Sequence, residues 1–167
     1  MSLDLERSIE SARHRLRSLA KGPARADAGR PRAATSRSRA ILEALLSGQE
    51  RPPMRTLLAE LQTRCAVAGQ PCPSRASVYN FLPLAPVPAY LAQTLPAHVR
   101  ELLYNLSARA RVPGPQLAFY LVNHGDTRAF GFAAGMPWLC LYQAERMRGF
   151  RPKSHALLRA ILQVRGI

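Results

Sequence analysis

The sequence predicts a mainly α-helical protein: a three-helix unit at 38–82, then a second small helical module at 96–167, with a β-hairpin at 116–133 as the alternative for part of the latter. Three observations lead there. Apolar residues recur at the three- and four-residue spacing of one helix face. Gly and Pro punctuate these stretches where helix starts and stops belong. The 167 residues are 47% apolar, enough to bury a core.

At the N-terminus Leu5, Ile9, Ala12, Leu16 and Leu19 follow a heptad seam, which predicts an amphipathic helix at 1–20. Two heptads are marginal alone, so this helix either docks on the body or pairs with a second copy as a homodimer. The stretch beginning "KGPARADAGRPRAATS" has almost no large apolar side chain and predicts a flexible basic linker at 21–37.

The first helix of the unit is expected at 38–47, with Ser38 as cap, Ile41, Leu42, Leu45 and Leu46 on one face, and Gly48 as stop. The second, at 55–68, follows Pro52 and Pro53, carries Leu57, Leu58, Leu61, Cys65 and Ala68, and closes at Gly69. Ser74 then caps a short third helix. In it Ala76, Val78, Phe81 and Leu82 turn inward, while Arg75, Ser77, Tyr79 and Asn80 stay near the surface.

That order is the layout of a helix-turn-helix, in which the third element enters the major groove of DNA. The series "ILEALL … LLAEL … PSRASVYNFL" resembles the winged-helix domain of the ferric-uptake-regulator family, whose third helix carries a similar Ser/Thr-Val-Tyr sequence, here Ser77, Val78 and Tyr79. The resemblance spans 38–82 and implies a winged-helix-like fold that binds DNA through its third helix. The sequence departs from that family in having no cluster of His and acidic ligands and no clear wing after residue 82. Metal-dependent regulation is therefore not implied.

Pro83, Pro86, Pro88 and Pro96 make 83–95 an extended connector with at most one turn, around Tyr90 and Leu91. Beyond it Val99, Leu102, Leu103 and Leu106 predict a helix whose other face carries Arg100, Arg109 and Arg111. From 116 to 133, "QLAFYLVN" and "TRAFGFA" read as two aromatic-rich strands joined by "HGD". The same stretch reads as helices with better-placed caps: Gly114-Pro115 opens one, Gly125 ends it, Asp126 caps the next, Gly135 turns, Pro137 starts a third and Gly149 ends that. A last helix follows in "SHALLRAILQV".

Charge carries the functional expectation. Lys and Arg number 24 against 10 Asp and Glu, a net charge of +14, and all but Lys21 and Lys153 are Arg. Such a surplus favours a polyanionic partner through counterion release, and Arg can also grip phosphate or guanine edges bidentately. The expected function is sequence-specific binding of double-stranded DNA, as a bacterial transcriptional regulator or mobile-element accessory factor, cytoplasmic and associated with the nucleoid. Arg75 suits guanine and Asn80 adenine, with Ser74, Ser77 and Tyr79 beside them. Arg55, Arg146, Arg148, Arg151 and Lys153 would position the phosphate backbone, the last four around the "RMRGFRPKS" turn. A solvated cationic helix end is the plain alternative for that turn.

Two other functions stay open. Trp138, Tyr142, Phe150 and Phe132 could stack bases of RNA or single strands. Alternatively the first helix and the apolar run from Phe130 to Tyr142 could make a protein-interaction adaptor with no nucleic-acid role. Other classes find little support. "NHGD" is explained by a turn, so no catalytic residue or enzyme activity is expected. Cys65, Cys72 and Cys140 match neither a disulfide framework nor a zinc spacing, and no metal or cofactor is expected. No apolar run reaches the roughly 18 residues of a spanning helix, which argues against a membrane partner.

Overall fold

In the computed structural model, which describes residues 35–167, the first helix is capped by Thr35 and not by Ser38. Helix α1 is Ser36–Leu46. Thr35 Oγ1 accepts from the Ser38 backbone N–H at 3.1 Å, satisfying a donor that the first turn leaves unpaired. The expected cap, Ser38, is instead buried, and its hydroxyl donates to the Thr35 carbonyl. Helix α2, Met54–Val67, packs on α1 and buries Leu57, Leu61 and Cys65. It closes through Gly69, whose φ of +60° lies in the left-handed region that favours glycine. That geometry lets the Gln70 N–H reach the Cys65 carbonyl at 2.8 Å. Helix α3 is Arg75–Phe81.

The stretch after α3 departs from expectation twice. Residues Ala89–Leu91 form a strand, β1, where a turn was expected, and it pairs antiparallel with β2, Arg111–Pro113, placing Tyr90 opposite Val112. The helix expected through Leu106 is only α4, Ala97–Arg100, followed by a 3-10 turn at Glu101–Leu103. The cause is non-local. The Ala92 and Gln93 N–H groups bond the Ala110 and Ala108 carbonyls, each at 2.9 Å, so this stretch extends the ribbon instead of prolonging the helix. Arg109 and Arg111 consequently do not share a helix face with Arg100. A two-stranded ribbon does follow the third helix, but Val99 and Leu103 in its connection are buried in the core.

The hairpin considered for 116–133 does not form. Helices α5, Gly114–His124, and α6, Thr127–Ala134, occupy that stretch, followed by α7, Trp138–Glu145, and α8, Pro152–Val164. Local capping decides it: Pro115 sits in the first turn of α5, Gly125 ends it, and the Asp126 carboxylate accepts from the Ala129 N–H at 2.9 Å. That bond holds the Asp126 carboxyl below the usual carboxylate range. Leu117, Ala118, Leu121 and Val122 then share the buried face of α5. Helix α7 stops at Glu145, short of the expected Gly149, leaving Arg146 as its C-cap and Arg148 in the turn beyond.

Two groups of buried side chains result. Leu42, Leu46, Leu57, Leu61, Cys65, Val78 and Leu82 pack with Trp138 and Leu139 of α7. Val99, Leu117, Leu121 and Leu158 pack with Cys140, Leu141 and Ala144 of the same helix. Helices on both sides of the Pro-rich stretch thus share α7. Burial pushes the Cys140 thiol up to about 11. No helix among the described residues is long and apolar enough to cross a membrane. The amphipathic segment 1–20, most of the linker and the homodimer expected from the heptad seam lie outside the described residues.

The corner between α5 and α6 has no room for a side chain. A Cβ at Gly125 would meet the Leu121 carbonyl oxygen and the Ala129 methyl, whereas one at Gly131, within α6, would meet open space. Gly125→Ala is expected to destabilise the fold by about 1–3 kcal/mol. Gly131→Ala is expected to be neutral or to stabilise by up to ~1 kcal/mol. Urea unfolding of the two variants checks the pair.

Candidate nucleic-acid interface

Helix α3 has only two turns, so its position is set from outside. Ser74 Oγ accepts from the Ser77 N–H at 3.2 Å and lies 2.9 Å from the Ser77 hydroxyl. Val78 and Leu82 are fully buried against α1 and α2. At its far end the Gln143 side-chain amide of α7 donates to the carbonyls of Leu82 at 2.9 Å and Ala85 at 2.8 Å. At its near end Gln70, in the turn before α3, accepts from the Thr35 hydroxyl at 2.7 Å.

With Val78 and Leu82 inward, Arg75, Ser77 and Asn80 are exposed, as expected. Tyr79 is half-buried, and the Arg75 guanidinium stands over its ring at 5.6 Å. Ala76, expected to turn inward, is exposed, while Phe81 is half-buried under the Arg39 guanidinium at 5.4 Å. Ser77 and Asn80 line an open groove of about 280 Å³ with Arg39, Phe81 and Leu84. Arg39 was not among the residues singled out from the sequence. Its signal is its place three residues before Leu42, at the edge of the apolar stripe of α1.

The second set sits on a different part of the molecule. The Arg146 guanidinium lies 3.6 Å above the Tyr142 ring, donates to the Tyr142 carbonyl at 2.9 Å and comes within 3.5 Å of Glu145. It is the most firmly held of the four cations around the turn. Arg148 is exposed between α7 and α8 and not on α7; Arg151 is the N-cap residue of α8 and Lys153 lies in its first turn. Buried Asn123 of α5 fixes this turn: its amide donates to the Gly149 carbonyl at 3.2 Å and its oxygen accepts from the Arg151 N–H at 3.1 Å. Arg55 is exposed in the first turn of α2. No hydrogen bond, ion pair or ring contact among the described residues joins the 146–153 set to the α3 set.

Of the aromatic residues considered for stacking single strands, Trp138 is buried and Phe132, Tyr142 and Phe150 are half-buried. Trp138 is buried and edge-on to Tyr142, and Tyr142 is covered by Arg146. Phe150 is flanked by Phe119 at 4.6 Å and His155 at 5.6 Å, and Phe132 packs on the core. In the apolar run considered as an adaptor surface Ala133, Met136, Leu139 and Leu141 are buried, whereas Phe130, Phe132 and Tyr142 are half-buried. Each residue of "NHGD" has a structural place: Asn123 fixes the α7–α8 turn, His124 ends α5, and Asp126 caps α6. Among the described residues no group of three His, Cys, Asp or Glu could hold a metal ion. Desolvation, and then the neighbouring Cys65 thiol, raise the exposed Cys72 thiol above its ordinary value.

Residues 35–167 carry 16 Lys and Arg against 6 Asp and Glu. The ion pairs among them use Arg64 with Glu60, and Arg146 and Arg159 with Glu145. Most of the arginines thus face solvent without an acidic partner among the described residues. Compared with family models, curated proteins and solved structures, the chain matches none.

The amide of Gln143 is what ties α3 to α7. Gln143→Leu is expected to lower stability by about 1–3 kcal/mol through the two carbonyls it leaves unpaired. Urea unfolding gives the value, and hydrogen exchange should place the faster-exchanging amides at 78–85.

Proposed function

We propose that the protein binds double-stranded DNA and reads sequence with α3, as a winged-helix-like helix-turn-helix. The observation that carries this reading is the division of α3 into a buried side, Val78 and Leu82, and an exposed side bearing Arg75, Ser77 and Asn80 together. A helix anchored in this way can enter a major groove without exposing its own core. Arg75, steadied over Tyr79, has the fork that matches the O6 and N7 of guanine, and Asn80 has the amide that matches adenine. Ser77 is short enough to let the backbone approach, and Ser74 serves chiefly as the cap.

Arg55, Arg148, Arg151 and Lys153 take phosphate contacts, each exposed and none in an ion pair among the described residues. Arg146 belongs to that set by charge, although its guanidinium is already committed on one edge. The net charge of +14 supports the same reading through steering and counterion release. A regulator of transcription or a mobile-element accessory factor, working on the bacterial nucleoid, is the role that fits such chemistry.

Selection of bound duplexes from a random library tests this directly. Arg75→Ala and Asn80→Ala should each cost about 1–3 kcal/mol at the preferred site and relax preference at one base pair. Arg148→Gln or Lys153→Gln should weaken all duplexes alike and reduce the slope of log affinity against log salt by about 1. Affinity that is absent at low salt, or unchanged as salt rises, would sink the proposal.

A further inference from the structure

Between α7, α8 and the loop before α2 lies a cleft of about 380 Å³ whose walls carry Arg51, Arg146 and Arg159 with Tyr142, Glu145 and Gln163. Three guanidiniums and the Glu145 carboxylate line it. Glu145, only 22% exposed, holds the Arg159 Nε at 3.3 Å and His155 Nε2 at 3.6 Å on one oxygen, and Arg146 Nη1 at 3.5 Å on the other. Both of its oxygens are thus engaged, yet it neutralises a single positive charge. Glu145 is the only ion-pair partner of these arginines among the described residues, and Leu162 and Ile167 complete the lining.

The donors are also left open. Each guanidinium has five N–H groups. Arg159 uses only its Nε, so its two terminal nitrogens have no partner among the described residues. Arg146 uses only Nη1, and its plane is fixed by the Tyr142 ring beneath it. Arg51 is half-buried and makes no hydrogen bond or ion pair among the described residues. Arg146, set against Tyr142, and Arg159, held through its Nε, keep terminal N–H groups open beside the unpaired Arg51, and such guanidinium forks suit a tetrahedral oxyanion.

We propose that this cleft binds a phosphate group, gripped by the terminal N–H groups of Arg159 and Arg51 against the fixed guanidinium of Arg146, with Glu145 orienting two of the three cations. The site uses none of the residues of α3 and stands or falls apart from the reading of DNA sequence. The phosphate comes either from a nucleic-acid backbone or from a small phosphorylated molecule.

Calorimetric titration of the full chain with inorganic phosphate and pyrophosphate, at constant ionic strength, tests it. Trp138 gives a second signal as the only tryptophan, edge-on to Tyr142 at the cleft wall. Saturable binding is expected, tighter for pyrophosphate and absent with acetate. The double variant Arg51→Gln, Arg159→Gln should lose at least tenfold in affinity with an unchanged unfolding midpoint, and Arg100→Gln should match the parent. No saturable heat, acetate binding as tightly as phosphate, or full affinity in the folded double variant overturns the site. A second arm assigns the source. Competition between phosphate and a short duplex, with a shallower salt slope for duplex binding in the double variant, points to the backbone, whereas simultaneous binding points to a small phosphorylated ligand.

Discussion

The burial of α7 is the constraint on which the other elements depend. Within one eight-residue helix, Trp138 and Leu139 enter the core of α1–α3 while Cys140, Leu141 and Ala144 enter that of α4–α6 and α8. A helix apolar on two sides can be stable in water only if something covers both. Removing α7 would therefore open both cores at once. Burying an indole ring contributes on the order of 4–6 kcal/mol by area. The Trp138 Nε1–H has no acceptor among the described residues, a loss of about 1–3 kcal/mol that the ring's burial outweighs. Polar links follow the same seam. The Gln49 carbonyl accepts from the Trp138 N–H at 3.0 Å and from Arg165, which also reaches the carbonyls of Ala134 and Met136.

Helix α3 inherits its order from that seam. A seven-residue helix is far below the length at which helices persist alone, so propensity cannot hold α3. What holds it is the Ser74 cap, the insertion of Val78 and Leu82, and the Gln143 amide at its end. None of these uses Arg75 or Asn80, which leaves their ends available for contact. The turn before α8 shows the same division of labour. Asn123 and Gly149 fix the backbone there, and Arg148, Arg151 and Lys153 extend from it.

What could be read from the sequence follows the range of the interactions involved. Between 114 and 137 the helices were legible because Pro115, Gly125, Asp126 and Pro137 act on backbone groups within a few residues of themselves. The stretch 97–113 misled for the opposite reason. Its Leu spacing favours a helix, but its backbone finds partners in a strand some twenty residues earlier, which periodicity cannot reveal. Ser38 looked like a cap because Ser caps helices, yet Thr35 lies one turn earlier and leaves Ser38 to be buried. The two sides of α3 were legible from the helical spacing except at Ala76, which is exposed, and at Tyr79, which is half-buried. The cleft at Glu145 was not legible, since Arg51 and Arg159 meet only through the packing of α8 on α7.

Charge by itself does not make a recognition surface, and the arrangement of the arginines shows what more is needed. Arg39, Arg75 and Arg146 each stand over an aromatic ring, at 5.4 Å from Phe81, 5.6 Å from Tyr79 and 3.6 Å from Tyr142, and the last is close enough for stacking. A stacked guanidinium keeps its edge, where all five N–H donors lie, pointing away from the contact. Lys could not substitute, because an ammonium has no such separation between face and edge. The near absence of lysine from a strongly basic chain acquires a physical sense in these three places. A guanidinium already set against a ring, as Arg146 is, has less side-chain freedom left to lose when an anion arrives.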